Sequence, residues 1–216
     1  MGIDVMLSEL GVGFLRTLAI FGWTLVLSLP FGLLVCAGRR SKNGIIKGIT
    51  KIYIAIMRGT PLMLQLLVWY FAPYYLFGAK LAPAYRFIAI VLGFVFNYAA
   101  YFAEIYRSGI DSMPKGQFEA ARVLGYTKKQ RYMKIILPQV VKRVLPAITN
   151  EVITLVKDTS LAYALSYSEL FALTKQIAAA QTSFWPFVIA GIFYFVFNAI
   201  VAFVMERIEK KYSYYS

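Results

Sequence analysis

Five stretches of this sequence are long and apolar enough to cross a bilayer as helices, and they decide the class of fold. They cover about 10–37, 52–77, 87–106, 144–167 and 184–205, each reaching the roughly 20 residues that span the hydrocarbon core. In lipid the backbone polar groups must be satisfied within the segment, so helices are the expected solution. Hydrophobic residues make up 60% of the chain, against about 45–50% in ordinary soluble domains. The sequence therefore predicts one domain over residues 1–216, an all-α, multi-pass membrane bundle of about five transmembrane helices. The first run exceeds the roughly 7–15 residues of a signal-peptide core and precedes no small-residue cleavage site, so it is expected to remain a membrane helix.

A net charge of +13 could point to nucleic acid, but its distribution points to topology. Seventeen of the 23 lysines and arginines lie in alternate connections: five at 38–51, nine at 107–143 and three at 207–211. The opposite connections carry only Lys80, Arg86 and Lys175, with Arg16 near the N-terminus. The positive-inside rule then places the N-terminus outside and the C-terminus in the cytoplasm. Tyr212, Tyr214 and Tyr215 are expected at headgroup level. With Cys36 the one cysteine and no histidine, an intramolecular disulfide, a zinc site and a Cys-His catalytic pair are excluded. No catalytic or metal residue is expected.

Polar side chains inside the apolar runs need a reason, because an ionisable group at bilayer centre costs about 2.5–3.5 kcal/mol on insertion scales. Asn97, Tyr101 and Glu104 share one face of the third span, at spacings of four and three. Glu151, Thr154 and Asp158 share a face of the fourth. Thr159 and Ser160 follow, and their short polar side chains favour local unwinding. The second span carries Arg58-Gly59-Thr60-Pro61, where Thr60 can cap and Pro61 can start a fresh helix, so a break is expected there. Irregular backbone at membrane depth is tolerated against protein or a wet cavity. The two polar faces are therefore expected to line a shared hydrated site.

The longest basic connection, about 107–143, holds a tidy pair of helix signals. Pro114 opens a first turn, Gly125 offers a left-handed stop after Leu124, and Thr127 with Gln130 has capping-box spacing. The second helix is expected to end before Pro138. The run EAARVLGYTKKQRYMKIILP at 119–138 resembles the "EAA loop" of integral-membrane subunits of ATP-binding-cassette (ABC) importers, matching at Glu119, Ala120, Ala121, Gly125, Ile135, Leu137 and Pro138. RGTPL at 58–62, the stretch 98–107, Lys115-Gly116-Gln117 and KDTSL at 157–161 look like the polar amino-acid branch of these permeases, a resemblance that runs from about Arg16 to the C-terminus.

That resemblance implies a type I ABC importer permease in a bacterial inner membrane, alternating between outward and inward access. It implies a second permease copy, identical or paralogous, and an extracytoplasmic amino-acid-binding protein. It also implies two cytoplasmic ATPase subunits that use ATP and Mg, with no cofactor bound by this chain. The sequence has no G-x-x-x-x-G-K-[ST] phosphate loop, consistent with a motor supplied by a partner. The handle would be Gln117 to Gly125. Phe118, Ala121 and Leu124 would fill an apolar groove between Glu119 and Arg122, while Ala120 and Ala121 permit close approach.

For substrate, Asp158 or Glu151 could take an amino-acid ammonium, and unwound backbone near Asp158–Ser160 its carboxylate. Glu104, with a cation–π contact from Tyr101, would favour a cationic side chain. A permease for neutral or acidic amino acids, with Glu104 held in a structural pair, is the alternative. An ion channel would use buried acids but not the capped loop helix. A membrane enzyme lacks a nucleophile with a nearby base, and a scaffold needs no polar faces.

Overall fold

The computed structural model describes residues 2–212, and Tyr214 and Tyr215 lie outside the described residues. Among those residues the secondary structure is helical throughout. Helix α1 (Ile3–Arg39) is 37 residues long, about 55 Å at 1.5 Å per residue. Helices α2 (Gly44–Gly59) and α3 (Leu62–Phe77) follow, then α4 (Tyr85–Asp111). The connecting loop carries α5 (Lys115–Val123) and a single turn, α6 (Lys128–Gln130). Helix α7 (Leu137–Asp158), α8 (Leu170–Gln181) and α9 (Trp185–Tyr212) complete the chain.

Helices α1, α4 and α9 are long and apolar enough to cross a membrane. The pair α2 and α3, bent by 112°, makes a fourth if it counts as one span. The break falls at Thr60 and Pro61, as the sequence predicts, but Thr60 does not cap α3. Its hydroxyl donates backward to the carbonyl of Ile56 at 2.8 Å. The expected fourth span, about 144–167, falls on α7, a 22-residue helix whose Lys142, Arg143, Glu151, Lys157 and Asp158 make it too polar to qualify on composition.

The centre of the bundle is the seam between α1 and α4. Gly32 of α1 faces Ala99, Phe102 and Ala103 of α4, and small residues of this kind let helix backbones approach closely. Across the seam, Phe94, Tyr98 and Phe102 of α4 cluster with Ile20, Leu66, Leu155 and Leu165. Outward-facing positions are apolar too: Leu34 is 70% exposed and Phe195 74%, the distribution lipid requires.

Two junctions depart from sequence expectation. The helix after Thr127 does not stop before Pro138. It widens into a π-helical stretch, Arg131–Ile136, and runs into α7 with Pro138 in its first turn. The wide turn moves the ladder to i→i−5 bonds, with Leu137 N–H on Tyr132 O, just where proline's missing donor would interrupt regular bonding. The second is Glu169, an acid the sequence analysis passes over. It is fully buried, and its carboxylate accepts from Phe171 N at 2.7 Å and Ala172 N at 2.8 Å. Tyr194 of α9 donates to it at 3.3 Å. This acid caps α8 and ties it to α9.

Candidate functional site

The break between α2 and α3 leaves carbonyls without helical partners, which need other donors when buried. Gln65 supplies them: its Nε2 donates to Met57 O at 3.0 Å, Thr60 O at 3.1 Å and Thr60 Oγ1 at 2.8 Å. Asn97 of α4 donates to Met57 O at 2.9 Å and to Gln65 Oε1 at 3.0 Å. Both amides are buried. Gln65 escaped the sequence reading, although a lone amide within LMLQLLVWYF at 62–71 is the signal that could have found it. Gln65→Leu should take the donor from Thr60 O and Thr60 Oγ1 and the acceptor from Asn97, while Met57 O keeps its bond from Asn97, at about 1–3 kcal/mol for each group left unsatisfied. The purified complex should then melt several degrees lower, and an unchanged melting midpoint would show that the clasp adds nothing.

The clasp forms one wall of a cavity of about 250 Å³. Of the residues singled out from sequence, the structure brings Asn97, Tyr101, Glu151, Thr154 and Asp158 to it, joined by Thr60, Leu62 and Tyr98. Tyr98, buried on α4, donates its hydroxyl to Asp158 Oδ2 at 2.7 Å and so aims that carboxylate. Glu151 makes no hydrogen bond or ion pair among the described residues. Thr159 and Ser160 stand apart from this cavity. After Asp158 the α-helix gives way to a tighter 3₁₀ helix, Thr159–Leu165, in place of the unwound backbone expected from the sequence, because the Thr159 and Ser160 hydroxyls bond back to carbonyls of the preceding turn. In it Thr159 is fully buried, donating to Val156 O at 2.7 Å, and Ser160 donates to Lys157 O at 2.8 Å.

A second cavity of about 530 Å³ shares Tyr101 and Glu151 with the first and adds Arg58, Glu104, Arg107 and Arg143. Glu104 is engaged here. Arg107 donates to both its oxygens, at 2.7–3.1 Å, and Arg39 of α1 stands 4.0 Å away. Asp111 extends the network, bonded to Arg107 at 3.0 Å and paired with Arg40. These pairs tie the ends of α1 and α4 together. The face of Tyr101 is also taken, by Arg58, whose Cζ lies 5.1 Å from the ring centroid.

On the connecting loop, α5 ends in a complete Schellman turn. Tyr126 N–H bonds to Ala121 O at 3.1 Å and Gly125 N–H to Arg122 O at 3.0 Å, with Gly125 at φ +76°, where glycine carries no side-chain penalty. The capping box at Thr127 and Gln130 is present, its two bonds 3.0 and 3.3 Å long. The rotation of α5 corrects the expected apolar stripe. Phe118 packs on the cluster of Met113, Ile136, Val140 and Val144, Arg131 holds its carbonyl at 3.2 Å, and Ala121 is buried. The outer face instead presents Gln117, Glu119, Ala120 and Arg122, with Val123 87% and Leu124 73% exposed.

A polar cavity thus lies against a broken helix, and a capped loop helix turns Val123 and Leu124 outward. The sequence matches the binding-protein-dependent transport system inner membrane component over residues 28–214, and the chain belongs to that family. It is similar to the putative glutamine transport system permease protein GlnP of Rickettsia bellii (strain RML369-C), 35% identical over 201 residues, 92% of this chain and 90% of the relative. The arginine transport system permease protein ArtQ of Bacillus subtilis (strain 168) is 34% identical over 200 residues, with coverage of 92% and 90%. Among solved structures, a crystal structure of an amino acid ABC transporter with histidines matches at TM-score 0.86 and 29% identity, covering 98% of this chain and 99% of that one.

Proposed function

We propose that this chain forms the membrane path of an ATP-driven importer for a polar amino acid carrying positive charge. The observation that carries the reading is the cavity holding two acids, Glu151 and Asp158. One can take the ammonium and the other a cationic side chain. The arginine permease relative supports it. The chain would work with a second permease copy, an extracytoplasmic binding protein and a pair of cytoplasmic ATPase subunits seated on α5. The N-terminus would lie outside and the C-terminus in the cytoplasm.

One observation favours a second reading. Glu104, counted among the acids that would select a cation, is held by Arg107 and Arg39, and a permease for glutamine-type substrates needs less negative charge. Uptake of arginine, glutamine and glutamate into vesicles containing the full complex separates the two. Arginine should be taken up in preference to both others. Preference for glutamine would shift the reading to a neutral substrate, and preference for glutamate would remove the charge argument.

A further inference from the structure

We propose that Arg58 grips the α-carboxylate of the transported amino acid while Glu151 receives its ammonium. The inference rests on the amino-acid reading above, but not on which amino acid is carried.

Three cations line the larger cavity: Arg58, Arg107 and Arg143. Two are committed. Arg107 bonds Glu104 and Asp111, and Arg143 donates to Ser112 O at 2.6 Å and Ser112 Oγ at 3.1 Å. Arg58, among the described residues, makes no hydrogen bond and no ion pair. Its guanidinium lies over the Tyr101 ring. That contact holds it there and leaves its fork of N–H donors uncommitted among the described residues. A planar fork of this kind matches a carboxylate in bidentate fashion.

The acids divide the same way. Glu104 is taken by Arg107, while Glu151 has no partner within bonding distance among the described residues. The cavity thus holds one free guanidinium and one free carboxylate. The two are near enough to interact electrostatically, yet they do not form an ion pair. An α-amino acid carries a carboxylate and an ammonium on one carbon, which is the charge pattern that fits between them. Glu151 and Tyr101 also line the smaller cavity, so a ligand held this way would extend its side chain past Tyr101 toward Asp158.

The test is direct binding to the purified permease–ATPase complex, without the binding protein, whose own specificity would mask the effect. Four probes are compared: L-arginine with L-argininamide, and L-glutamine with L-glutamine amide, each amide lacking the carboxylate charge. The wild-type complex should bind the preferred amino acid about 10- to 100-fold more tightly than its amide, the range for a charged hydrogen-bonded pair. In Arg58→Gln the ratio should fall to within about twofold. Arg58→Lys, which keeps the charge and loses the fork, should give an intermediate ratio and guards against misfolding of the first variant. A wild-type ratio retained in Arg58→Gln overturns the proposal whatever happens to absolute affinity. So does a wild-type complex without preference for the acid, or one that binds none of the four. Which pair binds reports separately on the cationic reading.

Discussion

Leu124→Asp should leave the chain inserted in the membrane and cut substrate uptake by the full complex about 100-fold. Leu124 and its neighbour Val123 are the most exposed apolar side chains of the loop, at 73% and 87%, on a helix end fixed by the Schellman turn at Gly125. Apolar anchors at the centre of an interface commonly cost 2 kcal/mol or more on truncation. A carboxylate there adds the cost of a desolvated charge with no partner. Together these approach 3 kcal/mol, about a hundredfold in the docked population. Neither change touches the membrane-facing surface or the cavities, so insertion and substrate binding should survive. Copurification of the ATPase in mild detergent, measured beside uptake, reads the effect directly. Glu119→Lys and Gly125→Asp should uncouple hydrolysis from transport in the same direction. In Gly125→Asp the mechanism differs: φ of +76° costs a side-chain-bearing residue about 1–2 kcal/mol and would swing the knob out of position. Wild-type uptake by Leu124→Asp would mean that the partner seats elsewhere.

The same loop illustrates what the sequence can and cannot disclose. Caps and stops are local chemistry, so the Gly125 turn and the Thr127–Gln130 box were legible residue by residue. Rotation was not. Phe118, Ala121 and Leu124 recur at threes, a spacing that marks a stripe without saying whether it faces the chain's own α7 or a partner. The structure turns Phe118 inward onto Met113, Ile136 and Val140 and buries Ala121 on the same side. Likewise the polar faces of α4 and α7 were readable from their spacing, and they do meet at one cavity. The pairing of Glu104 with Arg107, three residues on, stood in the sequence as an alternative, but the approach of Arg39 did not, since it lies 65 positions earlier and only the packing of α1 on α4 brings it near. The break at Thr60 announced itself through proline, while its repair by Gln65 and Asn97 required knowing that α3 and α4 lie side by side.

Gly32→Val should have the second large effect, on assembly of the fold rather than on docking. A Cβ at Gly32 would sit 2.8 Å from Phe102 Cβ, 3.2 Å from Ala99 O and 3.4 Å from Ala103 N. The nearest atoms belong to the backbone or to a Cβ, which no rotamer change can move aside. Relief therefore requires α1 and α4 to separate. Overpacking typically costs about 1–3 kcal/mol, and valine adds two methyl groups beyond the clashing Cβ. Separation would also pull Arg39 and Arg40 from Glu104 and Asp111, so the loss should spread from the seam to the ion pairs at the helix ends. Folded protein recovered as a symmetric peak from size-exclusion chromatography in mild detergent should fall about tenfold or more. Gly22→Val provides the control, because a Cβ at Gly22 meets no atom within 4 Å and adds only apolar surface. Equal recovery of the two variants would show that the small-residue seam tolerates a wider spacing, and the cavities bounded by α4 would then owe their shape to the Gln65–Asn97 clasp alone.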